Sequence, residues 1–106
     1  MTRFNIHPQA RTEFDEAFVN YLGIDPELAV SFEATFFDYL DGIIANPFLY
    51  NLRRPLTRRA NLMPRFGEYY IAYMIWREKV VVLAIAHAKR RPYYWRKRIV
   101  ESKKLF

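Results

Sequence analysis

Apolar residues recur at helical spacing in two segments of the first half of the chain. The first segment follows Pro8, which suits the first helical position because proline lacks the N–H that would be unpaired there. We expect this segment to end at Gly23, a residue type that is common at C-terminal caps. The second segment follows Asp25, a good N-cap, and stops before Pro47 because proline cannot continue the helical hydrogen bonds. With a connection of about four residues, the two segments predict an antiparallel helical hairpin.

Beyond Pro47 the spacing of apolar residues changes to the period of two that is typical of strands. Three segments fit this period: "LTRRANLM" (Leu56–Met63), "YYIAYMIW" (Tyr69–Trp76) and "VVVLAIAH" (Val80–His87). The last segment is apolar on both faces, so we expect a central strand that is covered on both sides. Residues 77–79, "REK", are polar enough for a tight turn, and they predict a β-hairpin between the second and third segments.

Short elements are predicted at both ends of the chain. The residues "RFNIH" (3–7) alternate in polarity and can form an edge strand, and Pro92 begins a short helix that runs towards Phe106. The resulting order, β-α-α-β-β-β-α, predicts an α+β fold with an N-terminal helical hairpin packed on one face of a small antiparallel β-sheet and a short C-terminal helix. The length of 106 residues predicts one domain, residues 1–106, with a single core.

The charge is divided unevenly between the two halves of the chain. Residues 1–46 contain two basic and eight acidic residues, a net charge of −6, whereas residues 47–106 contain fifteen basic and three acidic residues, a net charge of +12. A fold that joins these halves is bipolar, and its field can steer acidic partners or phosphates.

The composition argues against several classes of protein. The chain has no cysteine and two histidines, so we expect no disulfide, no metal site and no cofactor. Its longest apolar run, "VVVLAIA", is far shorter than the roughly 20 residues that cross a bilayer. The N-terminal residues lack the long apolar segment of a secretory signal. We therefore expect a soluble, cytoplasmic protein that does not associate with membranes.

The densest group of basic and aromatic residues is "HAKRRPYYWRKR", from His87 to Arg98. Cationic side chains among flat rings suit nucleic acid, a membrane surface or an acidic protein partner. Because His87 ends a predicted buried strand, we expect its ring to be structural and hydrogen-bonded to the backbone. Arg98 follows Tyr94 by one turn if this segment is helical, so the two side chains can interact.

The ordered set of segments resembles the RelE/ParE superfamily of bacterial type II toxins. The resemblance rests on the "RFG-YYIAY" and "VVVLAIAH" strands, the "H-KRRP-YW--R" tail, the opening "HPQARTEFDEAFVNYL" and the "ANP" that ends the second helix. It implies a plasmid-stabilization type of toxin that is neutralised by a cognate antitoxin in a hetero-oligomer. Family antitoxins often wrap an acidic segment around the toxin, which agrees with the basic second half of this chain.

The superfamily has two branches of activity. RelE-like members cleave messenger RNA on the ribosome without a metal, and ParE-like members inhibit DNA gyrase. Where the RelE branch commonly has an arginine three residues before its strand tyrosine, this sequence has Tyr70, and its "PYYW" context is more typical of ParE-like proteins. Lys89 and Arg90 match a basic pair that is found in both branches. The resemblance therefore favours a ParE-like gyrase inhibitor.

Two alternatives stay open at this point. A RelE-like ribonuclease would use basic and phenolic groups to activate the 2′-hydroxyl and stabilise the phosphorane, and Lys89, Arg90 and Tyr94 are the catalytic candidates. A general nucleic-acid-binding module would instead show affinity that falls steeply with salt. For any of these targets we predict one binding face, with the rings holding it in place. Its predicted members are Arg58, Arg59, Arg65, Lys89, Arg90, Arg91 and Arg98.

Overall fold

The computed structural model of the protein describes residues 4–106. Two helices open the fold, α1 (Pro8–Ile24) and α2 (Pro26–Ala45). The side chain of His7 caps α1 by accepting a hydrogen bond from the backbone N–H of Gln9 at 3.1 Å. Proline follows the cap at the start of both helices, as the sequence predicts.

A single extended residue, Asp25, connects the two helices. Its backbone N–H donates to the backbone carbonyl of Tyr21 in the last turn of α1. Its side chain accepts a hydrogen bond from the backbone N–H of Glu27 at the start of α2. The prediction of Asp25 as an N-cap is confirmed. The prediction of Gly23 as a C-terminal cap is wrong, because α1 continues through Gly23 and needs no left-handed residue there. The connection is correspondingly shorter than expected.

A five-stranded sheet forms the centre of the fold, with the spatial order β1-β5-β4-β3-β2. Its strands are β1 (Phe4–Ile6), β2 (Leu52–Arg54), β3 (Thr57–Leu62), β4 (Phe66–Trp76) and β5 (Lys79–His87). The predicted α+β class and the predicted edge strand are confirmed; Arg3, at the start of that prediction, lies outside the described residues. The sheet is mixed rather than wholly antiparallel, because β1 pairs with β5 in parallel before the chain enters α1.

Pattern analysis did not predict β2. Its three residues are all exposed, so the strand carries no buried position from which a period of two can be recognised. In contrast, the predicted hairpin between β4 and β5 is confirmed. Arg77 and Glu78 have φ values of 52° and 65°, the left-handed pair that a two-residue hairpin turn requires.

The central strands β4 and β5 are covered on both faces, as the apolar run predicts. Val82 and Ile85 pack in the cluster beneath the helical hairpin, whereas Val81 and Leu83 pack in a second cluster on the opposite face. A bulge between Ala72 and the following residue of β4 shifts the register at this point. The sheet therefore carries two apolar layers, and the second layer needs its own cover.

The C-terminal segment supplies that cover. It ends in the helix α3 (Lys97–Leu105), which begins later than the predicted start at Pro92. Tyr93 has a φ of 64°, which interrupts a helix, and the turn lets Trp95 insert into the second apolar layer. The indole N–H of Trp95 donates to the hydroxyl of Tyr70 at 3.3 Å. Across residues 4–106, no helix combines the length and apolar character needed to span a bilayer.

Candidate functional site

The tail of the chain is fastened to α1 through the carboxylate of Glu13. Arg98 donates to the two Glu13 oxygens at 2.7 and 3.2 Å, Arg90 donates at 3.4 Å, and the hydroxyl of Tyr94 donates as well. The backbone N–H of Ile85 donates to the same carboxylate at 3.2 Å. One acidic side chain on α1 thus joins the end of β5, the loop after it and α3.

The structure corrects the prediction that Arg98 belongs to a target-binding surface. The residue is 8% exposed. Besides Glu13, its guanidinium donates to the side-chain oxygen of Gln9 at 3.0 Å and to the carbonyl of Leu83 at 3.1 Å. Because its donors are used inside the protein, Arg98 holds the fold together and does not face a partner. The expected contact between Arg98 and Tyr94 is present, because the guanidinium carbon lies over the Tyr94 ring, 5.4 Å from its centroid.

Tyr94 is held as a neutral hydrogen-bond donor. Burial raises the pKa of its phenol above the usual value of 10.0, and the hydrogen bond to Glu13 and the charge of that carboxylate raise it further. The nearby Arg90 and Arg98 oppose this increase only in part. A general base must lose its proton near the working pH, and the surroundings of Tyr94 act in the opposite direction.

We expect this burial of a neutral phenol to make the protein less stable at alkaline pH. A group with a raised pKa in the folded state contributes stability that is complete below its unfolded pKa and is lost as the pH rises above it. Stability should therefore fall from about pH 10 upward, in line with the unperturbed tyrosine pKa. Urea unfolding at increasing pH measures this decrease. Tyr94→Phe should make this decrease in stability shallower, because the buried phenol is then absent.

The cationic loop after β5 contains Lys89, Arg90 and Arg91, which are all exposed. Arg90 lies over the ring of Tyr94, with its guanidinium carbon 3.8 Å from the centroid. The backbone N–H of Lys89 donates to Nδ1 of His87 at 3.1 Å, so the expected structural role of that histidine, hydrogen-bonded to backbone, is confirmed. The loop is held at its base while the side chains of Lys89 and Arg91 extend into solvent.

The other predicted arginines do not share one face. Arg58 and Arg59 are neighbours on β3, and their side chains leave the strand on opposite sides because side-chain direction alternates along a strand. Arg58 donates to the carbonyl of Tyr50 at 2.6 Å. Arg59 lies over the ring of Tyr70, 3.8 Å from its centroid, on the opposite face of the sheet. The guanidinium groups of Arg58 and Arg59 therefore lie on different faces of the sheet, although both residues line the cleft at its β2 end.

Arg65 occupies a third position. It lies between β3 and β4, where it donates to the hydroxyl oxygen of Ser31 on α2 at 3.4 Å. Its side chain thus contacts the first part of α2, at the end of the helical hairpin where α1 and α2 meet.

A cleft at the β2 end of the sheet contains two arginines that the predicted face omitted, Arg53 and Arg54. It has a volume of about 210 Å³ and combines basic, aromatic and hydroxyl side chains. Its lining residues are Arg53, Arg54, Thr57, Arg58, Arg59, Tyr70, Pro92, Tyr93 and Trp95. We call this set the arginine cleft. The sequence signal for it is "RRPLTRR", two arginine pairs separated by a short turn. Nowhere in residues 4–106 do three or more acidic or histidine side chains come together to hold a metal ion.

Comparison with protein-family models gives a match over residues 4–92, to the ParE toxin of the type II toxin–antitoxin system parDE. The match begins at β1 and ends at Pro92. The chain belongs to the ParE toxin family. A search of the curated proteins gives no match. Membership of this family makes the chain the toxin of a type II system, and such a system implies an antitoxin as its partner. Tyr94 and Arg98, which bond to Glu13, come after the last matched residue.

Proposed function

We propose that this ParE-family toxin arrests growth by inhibiting DNA gyrase through protein–protein contact, and that its cognate antitoxin neutralises it in a hetero-oligomer. The observation that carries the proposal is the state of Tyr94. Its hydroxyl donates to Glu13 and its pKa is raised, so the phenol is engaged within the fold rather than available for proton transfer.

The positions of the other two catalytic candidates also support inhibition by contact. Arg90 shares the Glu13 carboxylate, and Lys89 is exposed on the loop. Cleavage of RNA by its own 2′-hydroxyl needs a base, a charge stabiliser and an acid around one phosphate. Because Tyr94 and Arg90 both bond to Glu13 within the fold, their arrangement favours inhibition by contact. We propose that Lys89 and Arg91 contribute to the surface that meets the target.

Pulse-labelling of DNA and protein synthesis in bacteria that lack any antitoxin tests this proposal. After induction of the chain we expect DNA synthesis to fall first, because gyrase inhibition stops replication. Protein synthesis that falls first would contradict the proposal and support a RelE-like ribonuclease.

A single substitution gives an independent test of the same proposal. Tyr94→Phe should retain the growth arrest, since contact with gyrase does not require the chemistry of a phenol. Loss of an essential acid–base group would instead lower activity by about 100-fold or more. Phenylalanine preserves the ring beneath Arg90, and circular dichroism establishes whether the variant is folded. A folded Tyr94→Phe variant that no longer arrests growth would argue against inhibition by contact alone.

A further inference from the structure

The arginine cleft carries positive charge that the protein itself does not neutralise. Among the residues that the structure describes, the carboxylates in ion pairs are Glu13, Asp15 and Glu101, and none of them pairs with an arginine of the cleft. Four arginines contribute to the lining. Like charges at close range are costly unless an anion compensates them. The cleft is therefore suited to an incoming anionic group.

Three polar side chains meet on one face of the sheet in this cleft. Arg54 on β2 is paired in register with Thr57 on β3, and Arg59 follows two residues later on β3. Paired residues of neighbouring strands, and residues two apart on one strand, direct their side chains to the same face. Two guanidinium groups and one hydroxyl therefore line the same space.

The two guanidinium groups are held in place before any ligand arrives. Arg59 rests on the ring of Tyr70 and donates through Nε to the side-chain oxygen of Asn61 at 3.2 Å. Arg54 lies 5.2 Å from the centroid of the Tyr93 ring. Because a planar guanidinium in a fixed position offers parallel N–H donors, it suits the paired oxygens of an anion.

A buried hydroxyl in the cleft has no partner within the described structure. Thr57 is 1% exposed, and its Oγ1 makes no hydrogen bond. A buried polar group without a partner costs free energy. An anion between Arg54 and Arg59 would offer an acceptor for this hydroxyl. Thr57 is thus a second observation, independent of charge, that points to a missing polar ligand.

The backbone is strained at two positions beside the cleft. Leu56, in the turn between β2 and β3, has a φ of 68°, and Tyr93, which lines the cleft, has a φ of 64°. Residues other than glycine rarely adopt this left-handed conformation, and such strain is concentrated at ligand-binding positions. The turn at Leu56 brings Arg54 beside Thr57, and the turn at Tyr93 brings its ring to Arg54. The strained residues thus fix the shape of the cleft.

The donors of the cleft match a terminal phosphoryl group better than other anions. A phosphomonoester has three terminal oxygens and a charge of about −1.5 to −2 at neutral pH, which suits two guanidinium groups and a hydroxyl. A carboxylate, or a phosphodiester of a nucleic-acid backbone, has only two free oxygens and a single charge.

The size of the cleft and its covered rings favour a small ligand. Its volume of about 210 Å³ is below the several hundred that a pocket for a drug-sized molecule usually has. A nucleic-acid base stacks on the open face of an aromatic ring, but guanidinium groups lie over Tyr70 and Tyr93. The space thus suits a phosphoryl group with a small substituent.

We propose that the arginine cleft binds the terminal phosphoryl group of a small phosphorylated molecule, with Arg54 and Arg59 on its oxygens and the hydroxyl of Thr57 as a further donor. The phosphorylated end of a nucleic acid presents the same chemistry, so the test distinguishes the two sources. This binding is an additional property of the toxin and does not depend on the identity of its target.

Titration of the purified full chain with methyl phosphate, dimethyl phosphate and acetate at constant ionic strength tests the proposal. The Kd is measured from NMR shifts of the backbone amides in β2 and β3. We expect methyl phosphate to bind at least about tenfold more tightly than either singly charged probe, the change that one added hydrogen bond to a charged group provides.

The pH dependence of binding provides a second readout. A phosphomonoester gains its second proton near pH 6, so methyl phosphate should bind about fourfold more weakly at pH 5.5 than at pH 7.5. Within the described residues, the lining contains arginines and tyrosines but no carboxylate or histidine, the side chains that ordinarily titrate at acidic to neutral pH. The affinity for dimethyl phosphate should therefore stay constant over this range.

Variants locate the site. Arg54→Gln/Arg59→Gln should weaken methyl phosphate by at least about tenfold. The matched control Arg11→Gln/Lys104→Gln removes the same charge at exposed positions on α1 and α3 and should keep the Kd within about twofold. Thr57→Val removes the hydroxyl but keeps the shape, so it should weaken methyl phosphate without lowering the Tm. Thermal unfolding shows whether each variant is folded, and Arg54→Lys, which removes only the planar fork, is a milder change.

Three results would overturn the proposal. Equal weakening by both double variants would reduce the interaction to a general charge effect. Equal affinities for methyl phosphate and acetate would remove the preference for a phosphoryl group. An oligonucleotide that binds more than about tenfold more tightly than methyl phosphate only when it carries a 5′-phosphate would assign the cleft to nucleic-acid ends. Because these titrations contain no gyrase and no growth readout, their outcome is separate from that of the gyrase proposal.

Discussion

Replacing Arg98 with methionine should lower the free energy of unfolding by about 3–5 kcal/mol, the usual effect of removing one partner from a buried ion pair. The guanidinium of Arg98 is buried, and the side chain of Glu13 is 11% exposed. Without Arg98, the Glu13 carboxylate would still accept hydrogen bonds from the Tyr94 hydroxyl, the N–H of Ile85 and, at a longer distance, Arg90. It would lose its closest positive charge. The carbonyl of Leu83 would also lose a donor. Urea unfolding measures the change in free energy.

The matched control for this substitution is Arg11→Met. Arg11 pairs with Asp15 one turn along α1, and both side chains are more than half exposed. Exposed pairs of this kind contribute about 0.3–0.5 kcal/mol, so the control should scarcely affect unfolding. The double variant Glu13→Gln/Arg98→Met should recover part of the loss, since it leaves no unpaired buried charge. Similar small losses for Arg98→Met and Arg11→Met would show that the Glu13 interactions do not stabilise the tail.

Replacing Trp95 with alanine should cost about 3–5 kcal/mol, the range measured for removing a large aromatic side chain from a core. Trp95 is 5% exposed and packs in the second apolar layer, where its ring meets that of Tyr93 edge to face. The substitution would leave a cavity beneath the turn before α3 and remove the hydrogen bond to Tyr70. Thermal and urea unfolding both measure the loss.

Two further variants make the interpretation of Trp95→Ala specific. Trp95→Phe keeps an aromatic ring but removes the N–H, so we expect a smaller loss than for alanine. Val100→Ala shortens an exposed side chain on α3 and should stay within about 0.5 kcal/mol of the parent. If Trp95→Ala were no more destabilising than Val100→Ala, the tail would not be part of the core. The prediction would then be contradicted.

The order of most elements could be predicted from the sequence because each depends on local chemistry. Helix starts follow from Pro8 and from Asp25 with its proline, and the end of α2 follows from Pro47. The two-sided burial of β5 follows from an apolar run that is too short for a membrane helix and rich in β-branched residues. The predicted element boundaries were wrong where contacts with the rest of the fold, rather than local sequence, determine them. Helix α1 continues through Gly23, and the chain turns into α2 at the single residue Asp25. All three residues of β2 are exposed, so they show no alternation of buried and exposed positions.

The candidate site was less predictable, because it depends on which side chains meet. Composition identified the basic half, and "RRPLTRR" identified the arginine pairs, but neighbouring positions on a strand point to opposite faces. Arg58 and Arg59 were therefore separated by the pleat. Glu13 was not singled out at all, since an acidic residue on an amphipathic helix is usually solvated. Only the packing of α1 on β5 turns it inward, beside Arg98.

The sequence by itself determined the class of fold, the approximate succession of elements and the basic character of the second half. These properties depend on periodicity, on proline and cap residues, and on formal charge, all of which are local or additive along the chain. The tertiary structure alone decided that Arg98 is internal, that Tyr94 is a neutral donor, and that Arg54 and Arg59 meet in one cleft beside Thr57. Those outcomes depend on distances between residues far apart in the sequence, and such distances are set only when the helices, the sheet and the tail pack together.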